Sequence, residues 1–175
     1  MSTEPPRGTA SEHHAPWLSP EQQRDWRALV ALIMTLPPAL DAQLKRDAGV
    51  NSFEYHVLAA LSEAPNRTLV LSDLAALAQG SLSRISHAVT RLERAGWVER
   101  HSLPNRGGRH TEARLTDAGF AKIEEIAPGH VREARRLVVD ALTPEQLAAL
   151  GDAARAITAV TMAEAPETCP ESGDC

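Results

Sequence analysis

Apolar side chains recur at steps of three and four along most of this chain and lose that period only between Trp97 and Arg114. Trp26, Leu29, Ile33, Leu36, Leu40 and Leu44 form one stripe, which predicts a long amphipathic helix reaching about Arg46. Its start is marked by Ser19-Pro20-Glu21-Gln22: Ser19 as N-cap, Pro20 at the first helical position, and Gln22 closing a capping box. Pro37 and Pro38 each remove a backbone donor and are expected to kink or divide this helix. Ser52 is expected to cap a second helix, buried through Phe53, Val57, Leu58 and Leu61 and ended by Pro65. Thr68 to Leu71 reads as a short extended piece, followed by a third helix capped by Ser72 and carrying Leu74, Ala75, Leu77 and Ala78.

After Gln79-Gly80 the chain turns at once into a fourth helix, with Ser81 placed to cap it and Gly96 to stop it. Two helices joined by so short a glycine-containing turn are the signature of a helix-turn-helix. Trp97 to Ser102 and His110 to Leu115 then flank Pro104-Asn105-Arg106-Gly107-Gly108-Arg109, which reads as a hairpin with a basic tip, or wing. Thr116 caps a fifth helix with Phe120, Ile123 and Ile126 on its face, a break or bend at Pro128-Gly129, and an end near Leu142. Thr143-Pro144-Glu145-Gln146 repeats the opening cap and begins a last helix carrying Leu147, Leu150, Ala154, Ile157 and Thr161. Residues 1–17 and 165–175 lack apolar periodicity and read as flexible tails. The fold class predicted is mainly α with a small β-hairpin (α+β).

At 100° per residue, Leu82, Ile85, Val89 and Leu92 of the fourth helix fall together and should pack inward, with Ala88 at their edge. The opposite face carries Ser83, Arg84, His87, Thr90, Arg91 and Arg94, and no carboxylate. An ordinary solvated face would mix Glu with Arg to gain i,i+4 pairs. This inventory instead suits a helix in the DNA major groove, where Arg meets guanine and Ser, Thr and His meet base edges or phosphates.

Charge sharpens that reading. Between Ser81 and Arg114 lie Arg84, Arg91, Arg94, Arg100, Arg106, Arg109 and Arg114 against Glu93, Glu99 and Glu112, a local excess of four positive charges in a 175-residue chain of net charge −5. A basic island in an acidic protein attracts phosphates while limiting indiscriminate binding. Hydrophobic residues at 43% and charged residues at 23% match an ordinary globular domain. The stretch Ala28 to Met34 is interrupted by Thr35, Pro37 and Pro38, short of the roughly 18 apolar residues a membrane span needs. With no signal-peptide pattern at the N-terminus, a cytoplasmic location without membrane association is expected.

Several runs in order resemble the MarR family of bacterial transcription regulators: Phe53 to Leu61, Leu71-Ser72-Asp73-Leu74-Ala75, Ser83 to His87 leading to Arg91-Leu92-Glu93-Arg94-Ala95-Gly96-Trp97-Val98, and Arg114-Leu115-Thr116-Asp117-Ala118-Gly119. The resemblance covers about residues 19 to 162. It implies a homodimer of winged helix-turn-helix units on a palindromic operator, acting as a ligand-responsive repressor. Residues 18–164 then form one domain, with dimerisation helices at about 19–46 and 116–164 around a winged helix-turn-helix at about 52–115. A small aromatic or phenolic effector is implied between the dimer region and the DNA-binding lobe, with Trp26, Phe53, Tyr55 and Phe120 as candidate lining residues. The DNA-contacting set becomes Ser81, Ser83, Arg84, His87, Thr90, Arg91, Arg94, Arg106 and Arg109, with Arg109 as the wing arginine entering the minor groove. Family members often carry an acid two positions before that arginine; here Gly107 stands there, which leaves the wing to be ordered by DNA.

Other classes fit less well. No Gly-x-Ser-x-Gly, His-Glu-x-x-His or phosphate-binding loop occurs, so catalysis and cofactors are not expected. The seven histidines show no close ligand spacing, and Cys169 and Cys175 sit in the C-terminal run, away from groups that lower a thiol pKa. A metal- or redox-sensing regulator, and a winged helix serving only protein interaction, remain as alternatives.

Overall fold

The computed structural model describes residues 17–103 and 110–163. Arg106, Gly107 and Arg109, like Cys169 and Cys175, lie outside the described residues. The chain divides into two compact units, residues 1–35 and 36–175. Helix α1 (Pro20–Ala48) begins in the first. Its capping box forms as the sequence predicts: the Ser19 amide donates to Gln22 Oε1 at 2.9 Å, and the Gln22 amide to Ser19 Oγ at 3.2 Å. Trp17, Trp26, Ile33 and Met34 are exposed here.

The expected division of α1 at Pro37 and Pro38 does not occur; both lie inside the helix. Each proline deprives one carbonyl, that of Ile33 or Met34, of its helical donor, and both of those residues are open to solvent. The length expected for the apolar stretch is also corrected. By length and composition α1 is apolar enough to cross a bilayer, because averaging across the prolines lengthens the apolar window. Its last turns are nevertheless packed and polar-bonded: Gln43 and Leu44 are buried, and Asp41 Oδ1 accepts the Ser52 amide at 2.8 Å.

The second unit continues with α2 (Ser52–Glu63), a 3-10 turn (Pro65–Arg67), β1 (Thr68–Val70), α3 (Leu71–Leu77), α4 (Leu82–Arg94), β2 (Val98–Leu103), β3 (His110–Leu115), α5 (Asp117–Leu137), a second 3-10 turn (Val139–Ala141) and α6 (Pro144–Ala163). The hairpin belongs to a three-stranded antiparallel sheet of order β1-β3-β2, because β1 pairs with β3 from Thr68 opposite Arg114 to Val70 opposite Glu112. Two caps differ from expectation. Asn51, not Ser52, caps α2, its side chain accepting from the Glu54 amide while Glu54 accepts from the Asn51 amide, each at 2.9 Å. Helix α3 starts directly from β1 with Val70 as N-cap and no side-chain bond, so Ser72 lies within its first turn. Pro128 sits inside an unbroken α5, which ends at Leu137.

One apolar cluster joins Val57, Leu58 and Leu61 of α2 to Leu74, Ile85, Val89, Leu92, Val98, Leu115 and Ile123. A second holds Leu44, Val50 and Ile126, with Tyr55 and Trp97 packed against both. Each fully buried leucine contributes about 1.5–3 kcal/mol, against about 0–1 kcal/mol for an exposed ion pair. Burial therefore fixes the frame on which α4 is displayed.

Candidate nucleic-acid interface

Both ends of α4 are set by local chemistry. Ser81 caps it, Oγ accepting the Arg84 amide at 3.2 Å. At its far end the Gly96 amide bonds to the Glu93 carbonyl and the Trp97 amide to the Leu92 carbonyl, a Schellman pattern that needs the left-handed φ of +75° at Gly96. The turn from α3 is equally constrained. A Cβ on Gly80 would lie 2.6 Å from Phe53 Cζ, so the ring of Phe53 occupies the space a larger turn residue would need. Ile85, Ala88, Val89 and Leu92 are buried as predicted, whereas Leu82, in the first turn, is 58% exposed.

The predicted face separates into a free strip and two held flanks. Ser83, His87 and Arg94 are exposed and make no side-chain hydrogen bond or ion pair among the described residues. On one flank the Arg84 guanidinium lies 4.0 Å from the centre of the Phe53 ring, and Arg91 Nε meets Glu54 Oε1 at 2.9 Å. The Arg91 side chain is 62% exposed while that of Glu54 is 4% exposed, so a buried carboxylate on α2 aims an exposed guanidinium. On the other flank Thr90 is half-buried: its hydroxyl donates to the Ser86 carbonyl at 2.9 Å and accepts from Arg100 Nη2 at 2.9 Å. Thr90 is thereby engaged inside the protein. Arg100, read in the sequence only as part of the basic island, is the residue that position-by-position reading missed; the one available signal was its place on the alternation of β2 with buried Val98.

The aromatic effector candidates face different neighbours. Phe53 supports the turn and Arg84. Tyr55 packs its ring on His130 with centroids 4.4 Å apart, and Phe120 lies under the guanidinium of Arg67 at 3.7 Å. Trp26 belongs to the first unit and is 54% exposed. His130 Nδ1 lies 3.2 Å from Gln43 Oε1, and the Gln43 amide donates to Asp47 Oδ2 at 2.9 Å. That donation orients the glutamine so that its oxygen faces His130, which must donate from Nδ1. Burial, reinforced by the neighbouring charge of His56, holds His130 below the ordinary imidazole value, and burial pushes the Tyr55 hydroxyl above its own. No three His, Cys, Asp or Glu side chains gather to hold a metal ion among the described residues.

Comparison with known proteins gives this geometry its relatives. Residues 50–105 match the sequence profile described as the MarR family. No curated protein sequence matches the chain. Among solved structures, Sco3205, a MarR family transcriptional regulator from Streptomyces coelicolor in complex with DNA, is 43% identical, the match covering 81% of this chain and 92% of that one with a TM-score of 0.78. AbsC, a MarR family transcriptional regulator from the same organism, is 32% identical over 85% of this chain and 99% of its own, also with a TM-score of 0.78. A mutant MarR from E. coli complexed with operator DNA, 21% identical, shares the fold over 81% of this chain and 99% of that one at a TM-score of 0.66. A profile spanning the helix-turn-helix and a relative 43% identical over 92% of its length agree: the chain belongs to the MarR family of transcriptional regulators.

Proposed function

We propose that this chain is a sequence-specific DNA-binding repressor that acts as a homodimer on a palindromic operator in the cytoplasm. The observation that carries the reading is the acid-free face of α4, whose central strip Ser83, His87 and Arg94 is left without protein partners among the described residues. These three residues read base edges. Arg84 and Arg91, aimed by Phe53 and Glu54, bind phosphates beside them, with Ser81 at the helix start. Thr90 contributes through its place beside this strip, and Arg106 and Arg109 of the wing contact the backbone and the minor groove. The DNA complex of Sco3205 supports the reading, and the family comprises transcriptional regulators, not enzymes.

Exposed apolar side chains on the terminal helices support the dimer: Trp26, Ile33 and Met34 on α1, Ile157, Val160 and Met162 on α6. An apolar surface left open in this way is an association surface, and two-fold closure is the commonest way to cover it. Two copies of α4 then lie about 34–36 Å apart, one turn of DNA. A small aromatic or phenolic effector, binding beside Tyr55, releases the DNA. Selection of genomic fragments by the full chain, followed by titration at rising salt, tests the function. Enrichment of a two-fold symmetric site bound by two chains, with affinity falling steeply in salt, is expected; no enriched fragment would overturn the proposal.

A further inference from the structure

Arg100 stands on β2 opposite Ala113 of β3, on the same strand face as buried Val98, and its side chain is only 28% exposed. Its Nη2 donates to the Ser86 carbonyl at 2.5 Å and to Thr90 Oγ1 at 2.9 Å, and lies 3.5 Å from Ser86 Oγ. Its Nη1 meets Glu93 Oε2 at 3.4 Å. Ser86, Thr90 and Glu93 follow one another at four and three residues, so they form one line along the flank of α4. A single planar guanidinium, carried by the wing sheet, thus grips two successive turns of the helix.

Resting on the DNA-binding reading above, we propose that Arg100 is a positioning residue: it fixes the roll of α4 about its own axis against the wing sheet, so that Ser83, His87 and Arg94 point into the groove, without itself touching DNA. The geometry sets this apart from a phosphate contact. The charge of Arg100 is met by Glu93, and its Nη1 and Nη2 donors are turned toward the helix flank instead of outward, while its Nε is buried without a partner among the described residues. A guanidinium is suited to the task because its rigid fork holds several acceptors in one plane, which a lysine ammonium does not. The link also couples wing and helix, so a displacement of β2 is transmitted to the reading face.

The test uses full-length Arg100→Met, Arg100→Lys and Thr90→Val, each titrated against the selected duplex and a scrambled one over a salt series, with thermal unfolding alongside. Positioning predicts that Arg100→Met loses about tenfold or more on the selected duplex, keeps its scrambled-duplex affinity, and keeps the wild-type salt slope. Arg100→Lys should recover part of the loss, and Thr90→Val should show a smaller loss of the same kind. Equal losses on both duplexes with a slope reduced by about one would make Arg100 a phosphate contact and overturn the proposal. Unchanged selectivity with only a lower unfolding temperature would overturn it as well. If Arg100→Met does not fold, the Lys and Val variants decide by the same criteria. A wild-type chain that does not distinguish the duplexes refutes the DNA-binding reading itself, a separate outcome.

Discussion

Glu54 joins the scaffold to the reading face, so its removal should be felt in two assays with different signatures. Its Oε2 closes the capping box on the Asn51 amide and its Oε1 holds Arg91, both at 2.9 Å, and the residue is 3% exposed. Loss of the cap is worth about 1 kcal/mol, and the ion pair about 0–1 kcal/mol because Arg91 is largely solvated. Glu54→Ala loses both and should destabilise by about 1–2 kcal/mol, which for a chain of this length lowers the unfolding temperature by roughly 2–8 °C. Glu54→Gln keeps an oxygen for the Asn51 amide and loses the charge, so it should cost about 1 kcal/mol or less. On DNA the glutamine variant should shift affinity for the selected and scrambled duplexes in the same direction and by similar factors, because both the charge it loses and the arginine it no longer holds act on the phosphate backbone. Thermal unfolding at one fixed protein concentration, paired with titration of both duplexes, makes the measurement. Equal destabilisation by Gln and Ala, or altered discrimination in the glutamine variant, would refute the division of labour assigned to the two oxygens.

Gly119→Ala should destabilise by about 3 kcal/mol or more, since the new Cβ would collide with the Trp97 carbonyl oxygen and the Leu115 side chain; chemical denaturation checks this, and a loss under about 1 kcal/mol contradicts it. His130, held neutral by burial and by the charge of His56, makes the unfolded chain bind more protons than the native one below an unfolded value of about 6.5, so stability should fall as pH drops through that window. His130→Gln should flatten the unfolding temperature between about pH 7 and pH 5.5, and an unaltered slope would contradict the assignment. Deleting residues 165–175 should leave the oligomer and operator binding intact, whereas deleting residues 143–175 should give a monomer or aggregate without operator binding; sedimentation and DNA titration of both truncations decide.

Elements specified by neighbours in sequence were legible. Ser19 with Gln22 and Thr143 with Gln146 form the boxes their spacing predicts, and Ser81, Gly96 and Thr116 bound their helices as read. Errors arose where two local signals competed. Asn51 and Ser52 are both good caps, and the deciding partner, Glu54, lies three residues beyond Asn51 and two beyond Ser52, so the box spacing already favoured Asn51. Pro128 looked like a break, yet it frees only one carbonyl, while Ile123 and Ile126 on the same helix are buried. Of the interface, the exposed face of α4 was legible from its 3.6-residue period. Its partition was not: Thr90 and Ser83 look alike on a helical wheel, and only the approach of Arg100 from β2 and Glu54 from α2 tells the held residues from the free ones. Such contacts between distant segments leave no trace in the helical period of α4 itself.

The central claim is that the free strip of α4 reads sequence while the flanking arginines bind the backbone. His87→Ala and Arg91→Ala, titrated side by side against the selected and scrambled duplexes at one salt concentration, test it most directly. The account predicts that His87→Ala costs about 1–3 kcal/mol on the selected duplex and little on the scrambled one, whereas Arg91→Ala weakens both by similar factors. Equal losses for His87→Ala on the two duplexes, or a selective loss for Arg91→Ala alone, would contradict it.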